Sequence, residues 1–297
     1  MPAFETRTTL TEASGGNDLT AFTPQILPGI IPLRFRRLVV ADLMPSGTAD
    51  GNLIRYMKEA TFTNAAATVA EAGTKPESAI TFTHVDEVFH KIAHTIPVTD
   101  EMLEDVAAIR SFIDARMILG VQLTEEDQLL NGDGTGSNLT GLLNRSGLNT
   151  ATARGTDTNM DAVFKQITSI FTNAFYNVDG VVMNPANWQT IQLLKNAQGN
   201  YYGQGPFVGP QGGVFGQGGP SLWGTRVIIT PQIASGTALV GAFGEAAQVY
   251  RKGGIQLAAT NSHASEFINN ITRIRAEERL ALAVYRPGAF GTVTGLN

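Results

Sequence analysis

The stretch Glu266–Phe290 constrains the fold of this chain more than any other part of it. Apolar and polar residues alternate along it, first Phe267, Ile271 and Ile274, then Leu280, Leu282 and Val284, with Arg and Glu interleaved from Arg273 before the run turns almost wholly apolar. A period near two belongs to a half-buried strand, because successive side chains leave a pleated backbone on opposite faces. The pattern predicts a strand pair packed under a helix near the end of the chain.

Other segments hold too few hydrophobes to fold by themselves. Residues 1–32 are rich in Thr, Gly, Ser, Asn and Pro, with Leu10, Leu19, Phe22, Ile26 and Leu27 scattered among them. Such a segment gains order only by lying along other surfaces. Gly29–Pro32 and Leu38–Leu43 then read as its anchor to the body. Residues 53–98 hold two polar strand-like runs, the second from Thr81 to Val98 with Val88, Ile92, Ile96 and Val98 on one face. Between the runs, Asn64–Ser78 carries Gly73 and Pro76, which suit a loop tip. At ~3.3 Å per residue this hairpin reaches tens of ångströms, so it is predicted to project from its own subunit and lie on a neighbour.

Helical spacing appears in three places. Thr99 can cap a helix whose first turn holds Asp100 and Glu101, and Met102, Val106, Ile109, Ile113, Met117 and Val121 then recur every three to four residues until Gly132. Asp161–Phe175 and Pro185–Lys195 repeat the pattern, the latter with Trp188, Ile191 and Leu194 inward. Gly180–Met183, Arg226–Pro231, Ala238–Gly241 and Ala247–Tyr250 read as short strands between turn signals. The Gly-rich run from Gly199 to Pro220, with Tyr201, Tyr202, Phe207 and Phe215, reads as a mobile loop. No internal repeat is present.

Composition excludes several classes. With no cysteine, disulfides, thiolate metal sites and Cys nucleophiles are impossible. No apolar run approaches the ~18 residues that span a bilayer, and the N-terminus lacks the apolar core of a signal peptide. The 297 residues carry a net charge of -5, and beyond Arg34–Arg37 the cations do not cluster, which argues against a dedicated nucleic-acid binder. His84, His90 and His94 share strand parity, but residues four apart in a strand sit ~13 Å from each other, too far to share one zinc. His90–His94 also has Lys91 where a zincin has its glutamate base. Gly132–Gly136 lacks the G-K-[ST] ending of a phosphate loop, and Leu142 stands where a calcium loop needs Glu, so a turn is expected there. The aromatics of the Gly-rich run have no Lys or Arg among them to hold a nucleic-acid backbone. No G-x-S-x-G elbow occurs, and four histidines leave little material for a hydrolase triad. No cofactor or metal is expected.

Five blocks in order carry a resemblance: Lys75-Pro-Glu-Ser78, Leu129-Leu-Asn-Gly-Asp-Gly-Thr-Gly136, Met183-Asn-Pro-x-x-Trp188 with Leu222-Trp-Gly224, Phe267-Ile-Asn-Asn270, and Glu277-Glu-Arg-Leu-Ala-Leu-Ala283 leading to Tyr285-Arg-Pro-Gly-Ala289. Over about residues 8–292 the chain resembles the major capsid proteins of tailed bacteriophages, the Hong Kong 97 fold. The resemblance implies an α+β fold divided into an N-terminal arm (1–45), an extended β-hairpin with its base (46–98), a peripheral domain with a long spine helix (99–155), an axial domain (156–245) and a return to the peripheral domain (246–297). It implies a structural virion protein, assembled in the bacterial host cytoplasm, that builds an icosahedral shell of hexamers and pentamers around double-stranded DNA without reading its sequence. Portal, scaffold or maturation-protease, and decoration proteins would be its partners, with no membrane. The scaffold would be either a segment removed ahead of the arm or a separate protein. An encapsulin-type bacterial compartment shares this fold and is the rival reading; an unrelated soluble enzyme is the other.

Some members of the family join neighbouring subunits through a lysine–asparagine isopeptide bond with a glutamate as base. The matching positions here are Lys75, Asn270 and Glu277, a single-turnover self-modification and not enzymatic turnover. For Glu277 to serve as base, burial would have to keep it apart from Arg275 and Arg279. Read without the resemblance, Lys75 is a solvated loop lysine, Asn270 a strand-edge amide and Glu277 an ion-pair partner.

Overall fold

A computed structural model of the chain describes residues 33–36, 38–105, 107–201 and 220–297. Residues 1–32 and 37 of the arm expected over 1–45, Val106 and most of the Gly-rich run lie outside them. The chain divides after Arg34, and the architecture below is that of Phe35–Asn297.

In chain order come β1 (Ser46–Thr48), β2 (Leu53–Thr63), β3 (Ala79–Val88), β4 (His90–Thr99), α1 (Asp100–Asp105), α2 (Ala107–Asn131), β5 (Asn149–Ala153), α3 (Asn159–Ala174), β6 (Gly180–Met183) and α4 (Pro185–Gln192). There follow β7 (Ser221–Leu222), β8 (Thr225–Ile229), β9 (Thr237–Gly241), α5 (Phe243–Ala246), β10 (Ala247–Arg251), β11 (Gln256–Thr260), β12 (Ile271–Val284) and β13 (Phe290–Thr294).

The alternating stretch forms β12, a 14-residue strand at the centre of a five-stranded sheet. Along one edge it pairs antiparallel with β4 over Ile271–Leu280. Along the other it meets β11 and then β10, to which β1 adds in parallel. The strand pair under a helix is therefore present, but its second member comes from far upstream and not from the same stretch. One face of the pair, with Ile274, Ala276 and Val98, packs on Ile109, Ile113, Met117 and Val121 of α2. These are the helix positions spaced at three to four residues, so periodicity and burial agree. Met102, expected on the same face, is 47% exposed. Gly120 lets α2 and β4 approach closely: a Cβ there would lie 2.5 Å from the His94 ring.

The second sheet has the order β5-β13-β9-β6-β8-β7. Its central strand β6 is buried at all four residues, which explains why it reads as an unbroken apolar run. Thr158 caps α3 by accepting from the Asp161 N–H, and Asn184 caps α4 ahead of Pro185 in the first turn, where a missing N–H costs nothing. Both helices contribute to a core of Val163, Ile170, Val181, Met183, Trp188 and Ile191. A third cluster, with Leu129, Phe243, Leu280, Leu282 and Phe290, joins the sheets, and Val40 is fully buried in it. The Leu38–Leu43 segment is thus anchored to the body: Glu126 accepts from the N–H groups of Val39 and Val40.

Among the described residues, strands β2 and β3 pair only with each other. The single run expected from Thr81 to Val98 is two strands, interrupted at buried Phe89, whose N–H bonds the Asn52 carbonyl. Val88 thus stays in the hairpin at 52% exposure, while Val98 joins the α2-facing core.

Candidate functional site

The hairpin is held at its base and free beyond it. The Tyr56 hydroxyl donates to the Val284 carbonyl at 3.0 Å, and its ring meets Tyr285 edge-on at 5.1 Å. Arg286 donates to the Glu59 carbonyl at 2.9 Å. Arg145 grips the Glu87 carboxylate with both Nη atoms and donates to the Leu282 carbonyl at 2.7 Å. Burial, then the Glu87 carboxylate, pushes the Tyr56 phenol up to about 12, so it stays a donor at neutral pH. Past Glu59 a register shift breaks the ladder, and Phe62, Ile80 and Phe82 are each at least half exposed. A strand of 11 residues extends ~36 Å, and its last four residues run past the Glu59 contact.

Lys75 sits near the tip of this hairpin, exposed and without an ion pair among the described residues. Asn270 is exposed at the start of β12 with φ 51°, a left-handed conformation that Asn tolerates better than most residues. Its carbonyl accepts from the Asp100 N–H at 2.9 Å, which fixes the backbone and leaves the carboxamide outward. Glu277 lies midway along β12 with its side chain 18% exposed. Its Oε2 is 3.3 Å from Lys91 Nζ and 3.3 Å from Arg275 Nε. Arg279 turns away and donates to Asn52. Glu277 is thus clear of Arg279 but not of Arg275, and sequence reasoning missed Lys91. Only the β4–β12 register, which sets Lys91 opposite Arg279, could have revealed it.

One chain does not bring the three residues together. Asn270 and Glu277 lie at separate places on one extended strand, roughly 20 Å apart at ~3.3 Å per residue. A single lysine cannot reach both within the same subunit.

The remaining candidates resolve simply. His90 Nδ1 lies 2.9 Å from the Ser137 carbonyl and His94 Nε2 3.0 Å from that of Met117, while His84 is on the hairpin. Among the described residues no three ligating side chains converge, and no helix is long and apolar enough to cross a membrane. Asp133 closes the Gly-rich turn after α2: the Thr135 N–H and hydroxyl and the Asn138 amide hold its carboxyl down to about 2. A buried charged group that the sequence did not announce lies between α2, β10 and β12. There Arg251 bridges Glu125 and Glu278, and the second Glu278 oxygen has no partner.

The phage capsid family model matches residues 21–295. The major capsid protein of Enterobacteria phage HK97 is 38% identical over 273 residues, which covers 90% of this chain and 67% of that protein. Among solved structures, the capsid of a native GTA particle superposes with a TM-score of 0.72 at 14% identity, over 96% of this chain and 100% of that one. A chain of Mycobacterium phage Bobi does so with a TM-score of 0.71 at 15% identity, over 92% and 96%. At such identities these two structures establish the shared fold.

Proposed function

We propose, from the premise that the chain belongs to the phage capsid family and has the Hong Kong 97 fold, that this major capsid protein closes into an icosahedral shell of hexamers and pentamers around double-stranded DNA and seals it with Lys75–Asn270 amide bonds. The observation that carries the reading is the hairpin: it carries an exposed lysine in the loop beyond its last described anchor at Glu59, where another copy can meet it. In this reading the five-stranded sheet with α2 is the peripheral domain, and the six-stranded sheet with α3 and α4 is the axial domain at the capsomer centre. Portal, scaffold or maturation-protease, and decoration proteins complete the virion, assembled in the host cytoplasm. The identity to a phage capsid protein favours this over a compartment that encloses enzymes, and DNA inside purified particles checks the choice.

The chemistry follows from the residues. The neutral Lys75 amine attacks the Asn270 carboxamide carbon, forming an N–C bond and a tetrahedral oxyanion. Glu277 takes the amine's proton and delivers it to the departing nitrogen, so that ammonia leaves as the amide C–N bond breaks. Because Asn270 and Glu277 of one chain lie roughly 20 Å apart, the asparagine and the base at each bond come from different subunits. Mature particles boiled in detergent are expected to run as a ladder of covalent oligomers, and Lys75→Arg particles as monomer. A monomer band from mature wild-type particles would rule the reaction out.

A further inference from the structure

Asn270 is followed by a nitrogen that can consume it. An asparagine carboxamide is open to attack by the main-chain nitrogen of the next residue. The new N–C bond closes a succinimide ring, ammonia leaves, and water then opens the ring to aspartate or isoaspartate. That nitrogen is already beside its target, an advantage over any amine that must arrive from another molecule. An acceptor asparagine that waits for a second subunit therefore has to be kept from its own backbone.

The turn ahead of β12 does this for Asn270 and not for its neighbour. The peptide between Asn270 and Ile271 is bonded at both ends: its carbonyl accepts from the Asp100 N–H at 2.9 Å, and its N–H donates to the Glu266 carbonyl at 3.0 Å. Cyclisation needs that nitrogen to lose its proton and swing toward the carboxamide carbon. The bond to Glu266 holds the proton, and the bond from Asp100 opposes the rotation. Ile271 is also β-branched, which crowds the approach to its nitrogen. Asn269 is exposed like Asn270, but the nitrogen that follows it makes no main-chain hydrogen bond among the described residues.

Glu266 fixes one end of this arrangement through its side chain. Its carboxylate is buried and accepts from Nε of Arg273 at 2.6 Å and from Nη2 of the same guanidinium. Arg273 lies on β12 and donates in turn to the Thr95 hydroxyl of β4 at 3.3 Å. The Glu266 carbonyl, held in place by this clamp, accepts from the Asn269 N–H at 3.2 Å as well as from Ile271. Hydrogen bonding from Arg273 holds the Glu266 carboxyl below its ordinary range, so the pair stays charged at neutral pH.

We infer that Glu266 is the specificity-determining residue of the acceptor site: by fixing the Asn270–Ile271 peptide it withholds Asn270 from its own backbone and reserves it for an amine from another chain. The inference rests on the crosslinking reading for the role of Asn270. It adds what chooses the nucleophile.

The test reads deamidation site by site, by peptide mass spectrometry, in Lys75→Arg chains that form no crosslink. After incubation in mildly alkaline buffer, Asn270 is expected to stay intact in the folded chain and to be converted in the same chain held in urea. Asn269 is expected to gain much less from folding. Glu266→Ala should raise conversion at Asn270 about tenfold, the change in local opening when one charge-assisted hydrogen bond is lost, and leave Asn269 unmoved. Glu266→Gln, whose side chain can still accept from Arg273, should keep most of the protection. Asp100→Pro removes the donor at the other end of the peptide, at a first helical position that accepts proline, and should also speed Asn270 alone. Equal conversion of Asn270 in folded and urea-held chains would overturn the inference. So would Glu266→Ala and Asp100→Pro chains that keep Asn270 fully protected, or that speed Asn269 as much as Asn270, since that is general loosening of the turn. A wild-type particle without a covalent ladder sinks only the amide reading, because the deamidation readout does not use it.

Discussion

The Tyr56 hydroxyl donates to the Val284 carbonyl at 3.0 Å, and so the projecting hairpin is fastened to the last residue of the central strand β12. Tyr56→Phe removes that bond and keeps the ring on Tyr285. The expected cost is about 1 kcal/mol, read as roughly fivefold faster amide exchange at the base of β2 and β3. Arg145→Ala should cost more, because it strands the Glu87 carboxylate and leaves the Leu282 carbonyl short of a donor. Equal exchange in both variants and wild type would show that the base is held by other contacts.

Asn270 combines a chemical and a conformational role that substitution can separate. Asn270→Asp keeps a side chain that tolerates positive φ, but its carboxylate is a poor electrophile for an amine. Particles should form with near-native thermal stability and show no covalent ladder. Asn270→Ala should lose the ladder and also lower subunit stability by about 1 kcal/mol, because alanine lacks the short polar side chain whose local hydrogen bonding eases the left-handed conformation. A ladder in either variant would place the acceptor elsewhere.

Glu278 makes the subunit sensitive to pH near neutrality. Burial, then the nearby Glu125 carboxylate, pushes its carboxyl up to about 7 against the pull of Arg251. A folded-state value above the ordinary 4.5 means that the folded chain holds this proton more tightly than the unfolded one. The stabilisation is complete below about pH 4.5 and is lost as pH rises through about 7, with up to about 3 kcal/mol at stake. Thermal unfolding followed at pH 5 and pH 8 should therefore show the lower stability at pH 8. Glu278→Gln should remove most of that slope and be the more stable protein at pH 8. An unchanged slope would assign the dependence to other groups.

The sequence disclosed what is written as local periodicity and missed what depends on distant pairing. The α2 face, the helices expected over Asp161–Phe175 and Pro185–Lys195 and the buried β6 all follow from spacing within a few residues. The strand β4 looked continuous with the hairpin because alternation persists across Phe89, and only tertiary burial of that ring separates the two. Of the candidate site, the identities of Lys75, Asn270 and Glu277 were legible through family motifs. Lys91 beside Glu277 was not, because it reaches across a ladder whose partners are far apart in the chain.

The contact between α2 and β4 offers a test of packing against propensity. Glycine in a helix interior costs roughly 1 kcal/mol relative to alanine, so Gly120→Ala should stabilise α2 taken alone. In the fold, the new Cβ would lie 2.5 Å from the His94 Cε1 atom, and the imidazole would have to leave the Met117 carbonyl to make room. The expected net effect is a loss of about 1 kcal/mol or more. His94→Ala alone should also destabilise, by removing the same bond and its packing. The double variant should then be more stable than the sum of the two losses predicts, since the clash disappears with the ring. Thermal or denaturant unfolding of the four proteins measures the coupling. Strict additivity would mean that the ring and the helix backbone do not compete for the same space, and that Gly120 is there for another reason.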